Sequence, residues 1–511
     1  MFKLLKRFLT SNNKETSLPR HKPLLKENIE DNIDLFEDIF NNDESINYRS
    51  FESDDNLKYC LIFASSVSNQ NLINRDILKP LMENKAKNKI SSTEELKTLI
   101  TQIIPSSKIE RISDIDKLVG SILYGDTLLL VDGIKEALLI ETKEWKIRAI
   151  EEPVTEKVVK GPREGFNESA IINISLLRRK LKTPDLKFKF KELGLRTKTN
   201  ICIAYIDDLV NKKILKECIK RIDEIKIDGI LDSNYIDELI KDSPFSPFRT
   251  IGYTERPDVA VAKLLEGRII IIVDGTPIVL TLPFLFLEHF QVNEDYYQNF
   301  FFGSFNRWLR YLGFFLTIST PAIYLAFATF HQEMIPTPLL LSITAAREGV
   351  PFPTIVEALI MMVLFEILRE AGVRLPEPVG GAISIVGALV LGQAAVNARF
   401  ASAPIVIIIA VTAIASFLNY KMAGSLIMVR ILFLLLASVL GLYGYLFGVM
   451  GLFIHLMSIR SFGIPYMLNL NSYHSQDVKD TALRAPWWYM NYRPKLLSNE
   501  DLLRERSDQD E

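Results

Sequence analysis

The sequence predicts an α/β N-terminal region of two related α/β subdomains, followed by a polytopic α-helical membrane domain of four to six transmembrane or membrane-embedded helices. Three observations predict it: composition changes near residue 290, a helix-then-hairpin pattern recurs before that point, and apolar runs of bilayer length follow it. Whole-chain averages hide the division. The 511 residues carry a net charge of −2 and 48% hydrophobic residues, values that describe neither half. Up to about Phe290 short apolar runs alternate with Lys, Glu, Asp and Asn, whereas from Trp308 to Leu456 long apolar runs dominate.

The first fifty-six residues read as a basic, polar, disordered lead. "MFKLLKRFLTSNNKE" is mildly amphipathic, but charge interrupts it every few positions, so it lacks the continuous apolar h-region of a signal peptide. Residues 11–56 are rich in Asn, Asp, Glu and Ser and read as a linker with at most a turn or two of helix near "IDLFEDIF".

Residues 57–150 and 168–290 form the two subdomains. "LVGSILYGDTLLLVDGIKEALLIET" (Leu118 to Thr142) reads as helix, Gly stop, strand, Asp-Gly turn and strand, and "VAKLLEGRIIIIVDGTPIVLTLP" (Val261 to Pro283) has the same order. Asp-Gly between apolar runs signals a hairpin because Gly accepts the positive φ of a tight turn. A strand and a helix precede each unit: "KYCLIFAS" and "NLINRDILKPLMENK" in the first, "TNICIAYIDD" and "NKKILKECIKRIDEI" in the second. The competing reading is a chance likeness between two common hairpins.

Residues 151–167 join the subdomains. "EEPVTEKVVKGPREGFNES" has Pro and Gly breaks and no periodicity, which makes it an ordered loop or linker; Lys160 and Arg163 are its candidates for holding an anion or an acidic surface. Asp207 and Asp208 follow a strand, where a catalytic carboxylate can sit, but they read better as the cap and first-turn charges of the next helix. No nucleotide-binding glycine motif, nucleophile elbow or zinc-protease motif is present, so the expectation is a protein that is not an enzyme and has no cofactor or metal. Cys60, Cys202 and Cys218 are unclustered and odd in number, which suggests neither a disulfide framework nor a zinc site. Scattered basic residues without a dense stripe argue against nucleic acid as a partner.

Residues 291–460 form the membrane domain and 461–511 a cytoplasmic tail. Apolar runs span Leu309 to Phe330, Val379 to Ala398, Ala403 to Tyr420 and Leu426 to Met457; the last fits one tilted helix or two short ones broken near Gly441 to Gly444. Pro351 to Gly372 is helical in pattern but carries Glu357, Glu366, Arg369 and Glu370, so it either lies at the interface or is wrapped by protein. Arg307, Arg310, Arg460, Lys479, Arg484, Arg493 and Lys495 flank the outermost spans, which places both flanks in the cytoplasm and requires an even number of crossings. Four fits if Pro351 to Gly372 is interfacial and the last run is single; six fits if the first crosses and the second is split.

Val379 to Ala398 is built from small residues. Gly380, Gly381, Gly387 and Gly392 let neighbouring backbones approach closely, which offsets their cost in helix propensity. Val386, Leu389, Val390, Gln393 and Asn397 fall on the front, apolar in the middle and amide-polar at one end. Such a face suits a water-filled path narrowing at a hydrophobic ring, enclosed by several copies of the chain. The competing reading has Gln393 and Asn397 merely hydrogen-bonding neighbouring helices.

The long stretch "FHQEMIPTPLLLSITAAREGVPFPTIVEALIMMVLFEILREAGVRLPEPVGGAISIVGALVLGQAAVNA", with "EEPVTEKVVKGPREGFNES", "SPFSPFRTIGYTERPDVAVAKLLEGRIIIIVDG" and "DTALRAPWW", resembles the A subunits of GerA-type spore germinant receptors from about Tyr59 to Trp488. The resemblance implies an integral protein of the spore inner membrane, multi-pass, with both termini facing the core. It also implies a ring homo-oligomer, a pentamer, that releases monovalent cations, with a transporter-like B subunit holding the nutrient and a C-subunit lipoprotein as partners. On this reading Val386, Leu389, Val390, Gln393 and Asn397 line the gate, and Glu357, Glu366 and Glu377 are candidates for attracting cations. The alternatives are an ion-release paralogue without its own nutrient ligand, a secondary transporter, and a scaffold that docks other factors.

Overall fold

The computed structural model describes residues 24–41, 43–52, 57–83, 109–143, 152–374, 390–467, 480–490 and 493. The chain divides into two compact units, one carrying the first sheet and the other carrying the second sheet with the apolar helices.

In the first unit β1 (Ile46–Glu52), β2 (Lys58–Ala64), β3 (Ile109–Ile112), β4 (Thr127–Val131) and β5 (Ala137–Ile140) form a sheet ordered β1-β2-β4-β5-β3, every pairing antiparallel. Helices α1 (Ile29–Ile39), a helical run over 70–83 (α2) and α3 (Ile115–Tyr124) accompany it. Helix α3 stops at Gly125, whose φ of 108° is left-handed, and Gly133 turns the β4–β5 hairpin at φ 86°. Two features correct the reading of residues 1–56 as a lead. Helix α1 is 11 residues long, and Ile46–Glu52 is an edge strand paired along its length with β2. Polar residues between its apolar ones reflect an edge strand with one wet face, not disorder.

The second unit repeats this plan. Strands β6 (Leu186–Leu193), β7 (Thr199–Ile206), β8 (Gly252–Thr254), β9 (Ile269–Val273) and β10 (Val279–Leu282) are ordered β6-β7-β9-β10-β8, again antiparallel throughout. Helices α4 (Ala170–Lys180), α5 (Lys212–Asp223), α6 (Ser233–Ile240) and α7 (Pro257–Leu264) pack with them. The likeness extends to single hydrogen bonds. Asp132 of the first hairpin turn accepts from the Ile29 amide at 3.1 Å, and Asp274 of the second accepts from the Ala170 amide at 2.9 Å. Asn32 grips the backbone of Lys26 in both directions at 2.8 Å, as Asn173 grips Asn167 at 2.9 and 2.6 Å. Chance resemblance between two hairpins does not reproduce a helix-anchoring Asp and a buried Asn at matching places. One assignment changes: Asn211, not Asp207 or Asp208, caps α5, and Asp207 pairs with Lys212.

Beyond the second sheet run α8 (Phe300–Thr329), α9 (Thr337–Arg347), α10 (Thr354–Arg374), a helical stretch over 390–397, α11 (Ala403–Phe417) and α12 (Ala423–Ser458). Phe300–Thr329 and Tyr420–Ser458 are each long and apolar enough to cross a membrane. Helix α8 begins nine residues before the sequence-predicted Leu309, because Asn299 caps it by accepting from the Phe301 amide.

Helix α12 is not a rod. Gly441 takes φ 59° and ψ −137°, a conformation open to glycine, and breaks it into arms 423–440 and 442–458. Ser425, at the start of the first arm, donates to the Pro247 carbonyl, while His455, near the end of the second, lies 3.0 Å from the Ser246 hydroxyl. In a straight helix residues 425 and 455 would stand about 45 Å apart. The arms are therefore antiparallel, each about 25 Å long at the usual rise, and Phe433 packs edge-on against Tyr445 at 5.7 Å. The chain then forms the hairpin of β11 (Arg460–Ser461) and β12 (Ile464–Pro465), whose Phe462 and Ile464 enter the core of the second subdomain.

Candidate ion-path helix and its buried charge layer

Of the small-residue segment, Gly380, Gly381, Gly387, Val386 and Leu389 lie outside the described residues, as does Glu377. In the part that is described the two faces differ. Gly392 is buried, and a Cβ there would sit 3.5 Å from Val406 of α11. Val390, Gln393 and Asn397 are exposed. Spacings of three and four put these three on one side of a helix; Leu391 and Ala394 are exposed as well, so Gly392 is the one buried position of the stretch. Among the described residues no helix covers the amides of Gln393 and Asn397.

Glu357 and Glu366 occupy different surroundings. Glu357 is buried at the start of α10, where one carboxylate oxygen accepts from the Ser402 amide at 3.0 Å and its hydroxyl at 2.9 Å, with Arg347 3.9 Å from the other. It thereby joins α10 to the N-terminus of α11, which favours negative charge. Glu366 bridges Arg430 of α12 and Arg369 one turn along its own helix, both at 2.7 Å. Both acids are engaged in contacts between helices, an outcome foreshadowed by the rule that membrane charges face protein.

A layer of paired charges, whose partners the sequence does not reveal, lies where the second subdomain meets the helices. Arg307 of α8 is fully buried; it donates to the Asp480 carboxylate at 2.9 Å and to the backbone carbonyls of Asp480 and Thr481 at 2.7 and 3.2 Å. Tyr296 bonds the other Asp480 oxygen. Arg310, one turn on, grips Asp295 through two bonds of 2.8 and 2.5 Å. Asn419, after α11, donates to the Arg310 carbonyl at 2.9 Å. Lys421, in the turn before α12, donates to Glu156 of the inter-subdomain loop, and Glu156 also accepts from the Thr254 hydroxyl at 2.6 Å and the Glu255 amide at 3.0 Å.

The loop itself is ordered by the same layer. Arg256 donates to the Glu156 and Pro162 carbonyls at 3.2 and 2.8 Å and pairs with Asp258 at 2.7 Å. Burial alone would raise the Asp258 carboxyl, but hydrogen bonds from Arg256 and Tyr297 outweigh it and hold the group below its ordinary value. His289 sits in the layer with its Nε2 3.0 Å from the Tyr466 hydroxyl; burial, assisted by Lys421 and Arg249, lowers its pKa to about 3 and keeps it neutral. Lys160 and Arg163 stay on the surface, Arg163 3.8 Å from Glu152. The signal available in sequence was the charge inside the quoted motifs: Arg256 and Asp258 in "TERPDVA", Glu156 in "EEPVTEK", Asp480 in "DTALR".

Among the described residues no group of three or more His, Cys, Asp or Glu side chains is placed to hold a metal ion. Cys60, Cys202 and Cys218 are buried and form no disulfide with one another.

The family model described as Bacillus/Clostridium GerA spore germination protein matches residues 34–496. Spore germination protein KA of Bacillus subtilis (strain 168) is 46% identical over 457 residues, covering 89% of this chain and 84% of that protein. Spore germination protein B1 of the same organism is 37% identical over 481 residues, covering 94% and 99%. Its uncharacterized membrane protein YfkQ is 42% identical over 474 residues, covering 92% and 91%. The crystal structure of the N-terminal domain of the A subunit of the Bacillus megaterium spore germinant receptor GerK3 is 34% identical and covers 52% of this chain and 99% of that one, with a TM-score of 0.42.

Proposed function

Because the chain belongs to the GerA family of spore germination proteins, we propose that it is a germinant-receptor A subunit that assembles into a ring and conducts monovalent cations across the spore inner membrane when nutrient binds. The observation that carries the proposal is the two-sided stretch 390–397, with Gly392 packed inward and Val390, Gln393 and Asn397 left open. Copies of that open face around an axis, five in a pentamer, enclose a path whose amide end wets and whose apolar end, with Val386 and Leu389, dewets. The role is conduction, not catalysis.

The helix directions support six crossings with both flanks on one side. Helix α8 runs from the Arg307 layer to Phe330, beside the Gly441 bend; α11 returns from Ser402 to Asn419, which bonds Arg310; and α12 goes out and back. Helix α10 starts at the Ser402 end, and its Phe365 reaches Phe417 near the close of α11. The span that the sequence predicts from Val379 to Ala398 completes the even number. The partners on this reading are a transporter-like B subunit that holds the nutrient and a C-subunit lipoprotein.

Planar-bilayer recording of the chain co-reconstituted with its B and C partners, with and without nutrient, tests it. Discrete conductance steps selective for monovalent cations are expected, and Leu389→Ala, by widening the apolar ring, should raise the open fraction without nutrient. A silent bilayer, or a Leu389→Ala chain with wild-type behaviour, overturns the proposal.

A further inference from the structure

The ten residues Asp480 to Tyr489 form a strap after the last helix. Its polar groups turn inward: the Asp480 carboxylate and the Asp480 and Thr481 carbonyls accept from the Arg307 guanidinium, the Arg484 amide donates to the Ser304 hydroxyl at 3.1 Å, and the Thr481 and Arg484 side chains are buried. Its large apolar side chains turn outward, with Leu483, Trp487 and Tyr489 exposed and Trp488 72% exposed. Trp488 meets Phe300 edge-on at 5.7 Å, so the strap lies level with the first turn of α8. That end of α8 exposes aromatics too: Phe301, Phe305 and Trp308 follow one another at helical spacing, Trp308 60% exposed.

Helix length says what covers this surface. The 30 residues of α8 rise about 45 Å, the thickness of a bilayer with both headgroup layers, whereas the hydrocarbon core is about 30 Å. The first turns of α8, and the strap beside them, then fall in a headgroup layer. Tryptophan concentrates there because its ring is apolar and its N–H wants water. The exposed face is also continuous with the apolar side of α8, where Leu312 and Phe315 carry the same stripe toward the hydrocarbon.

Resting on the reading of α8 as a span, we propose that the strap of residues 480–490 is a lipid-docking surface, seated in the headgroup layer through Leu483, Trp487 and Trp488, and not a free cytoplasmic tail. Its link to Arg307 sets the depth of the first helix in the bilayer.

The sequence has four tryptophans, Trp145, Trp308, Trp487 and Trp488, so the full chain can be reduced to one by substitution with Phe. Reconstituted in phosphatidylcholine/phosphatidylglycerol vesicles whose acyl chains carry bromine near the headgroup, a chain retaining only Trp488 should lose emission relative to unbrominated vesicles and emit further to the blue than in detergent-free denaturant. Trp488 untouched by bromolipid but quenched by aqueous acrylamide overturns the proposal, and Trp488 shielded from both does so by showing that a second chain covers it. A chain retaining only Trp308 separates the two readings: if it too escapes bromolipid, the span assignment of α8 fails as well. A nitroxide at Leu483→Cys, on the native tryptophans, supplies the same answer without the Phe substitutions: collisions with oxygen should exceed those with an aqueous nickel chelate, and the reverse order overturns the proposal.

Discussion

Lys421, in the turn joining α11 to α12, donates to the carboxylate of Glu156, 265 residues earlier in the chain. Glu156 is buried and is held in turn by Thr254 and the Glu255 amide beside the second sheet. The loop before the second subdomain is thereby tied directly to the turn between two apolar helices.

Glu156→Gln keeps the shape of that site but leaves the Lys421 ammonium without its counter-charge. Breaking a buried pair from one side costs about 3–5 kcal/mol; part of the Lys421 side chain reaches solvent, so the expected loss is about 1–3 kcal/mol. Thermal unfolding of the purified chain in detergent, against wild type, reads it directly. Lys421→Met should cost less, since Glu156 retains two neutral donors.

The bend in α12 makes unequal demands on its glycines. A Cβ at Gly444 would lie 2.0 Å from the Leu436 carbonyl oxygen, and one at Gly441 would lie 2.8 Å from the Phe330 Cβ with φ at +59°. Gly424 and Gly451, in the same helix, meet nothing within 4 Å. Gly444→Ala and Gly441→Ala should therefore reduce the yield of monodisperse protein on size exclusion. Gly424→Ala and Gly451→Ala should be neutral or gain up to about 1 kcal/mol from helix propensity.

His289 gives the second unit an acid limb. Its folded pKa of about 3 lies below the ordinary 6.5, so below pH 6.5 the unfolded chain binds a proton that the folded chain refuses. This contribution to stability is complete above pH 6.5 and falls by up to about 1.4 kcal/mol per pH unit as pH drops toward 3. His289→Gln should flatten the decline in melting temperature between pH 7 and 5; parallel curves for the two proteins would contradict the assignment.

Asp132 and Asp274 anchor matching helices, so their loss should cost alike. Asp132→Ala and Asp274→Ala each remove an acceptor from a helix N-terminus, worth about 1 kcal/mol. Amide exchange should quicken at Ile29 in the first variant and at Ala170 in the second, and nowhere in the opposite subdomain.

Much of this architecture is legible in the sequence where one local rule decides. Asp132-Gly133 and Asp274-Gly275 mark both hairpins because only a positive φ closes such turns, and the glycines at 441 and 444 mark the break in the last apolar run. Strands β1 and β6 carry a weaker signal: "INYRSFE" and "LKFKFKEL" alternate apolar and polar residues, the signature of half-exposed strands, inside stretches whose composition is otherwise polar. The charge layer was harder to see. Arg307 reads as a flanking cation, and only the fold brings Asp295 and Asp480 to it from either side of the apolar helices. The partners of Glu357 and Glu366 are hidden for the same reason, since Ser402 and Arg430 lie 45 and 64 residues away.

The reversal at Gly441 also dictates an order of construction. The final arm carries Tyr445, whose hydroxyl bonds the Ser319 hydroxyl at 2.9 Å deep in α8, a helix synthesised more than a hundred residues earlier. That bond, and the burial of Phe433 against Tyr445, form only once the ribosome has released both arms as a pair. The last arm is thus the keystone of the bundle: it closes over helices already laid down, and a chain halted at residue 440 lacks the partner that Ser319 bonds in the full chain.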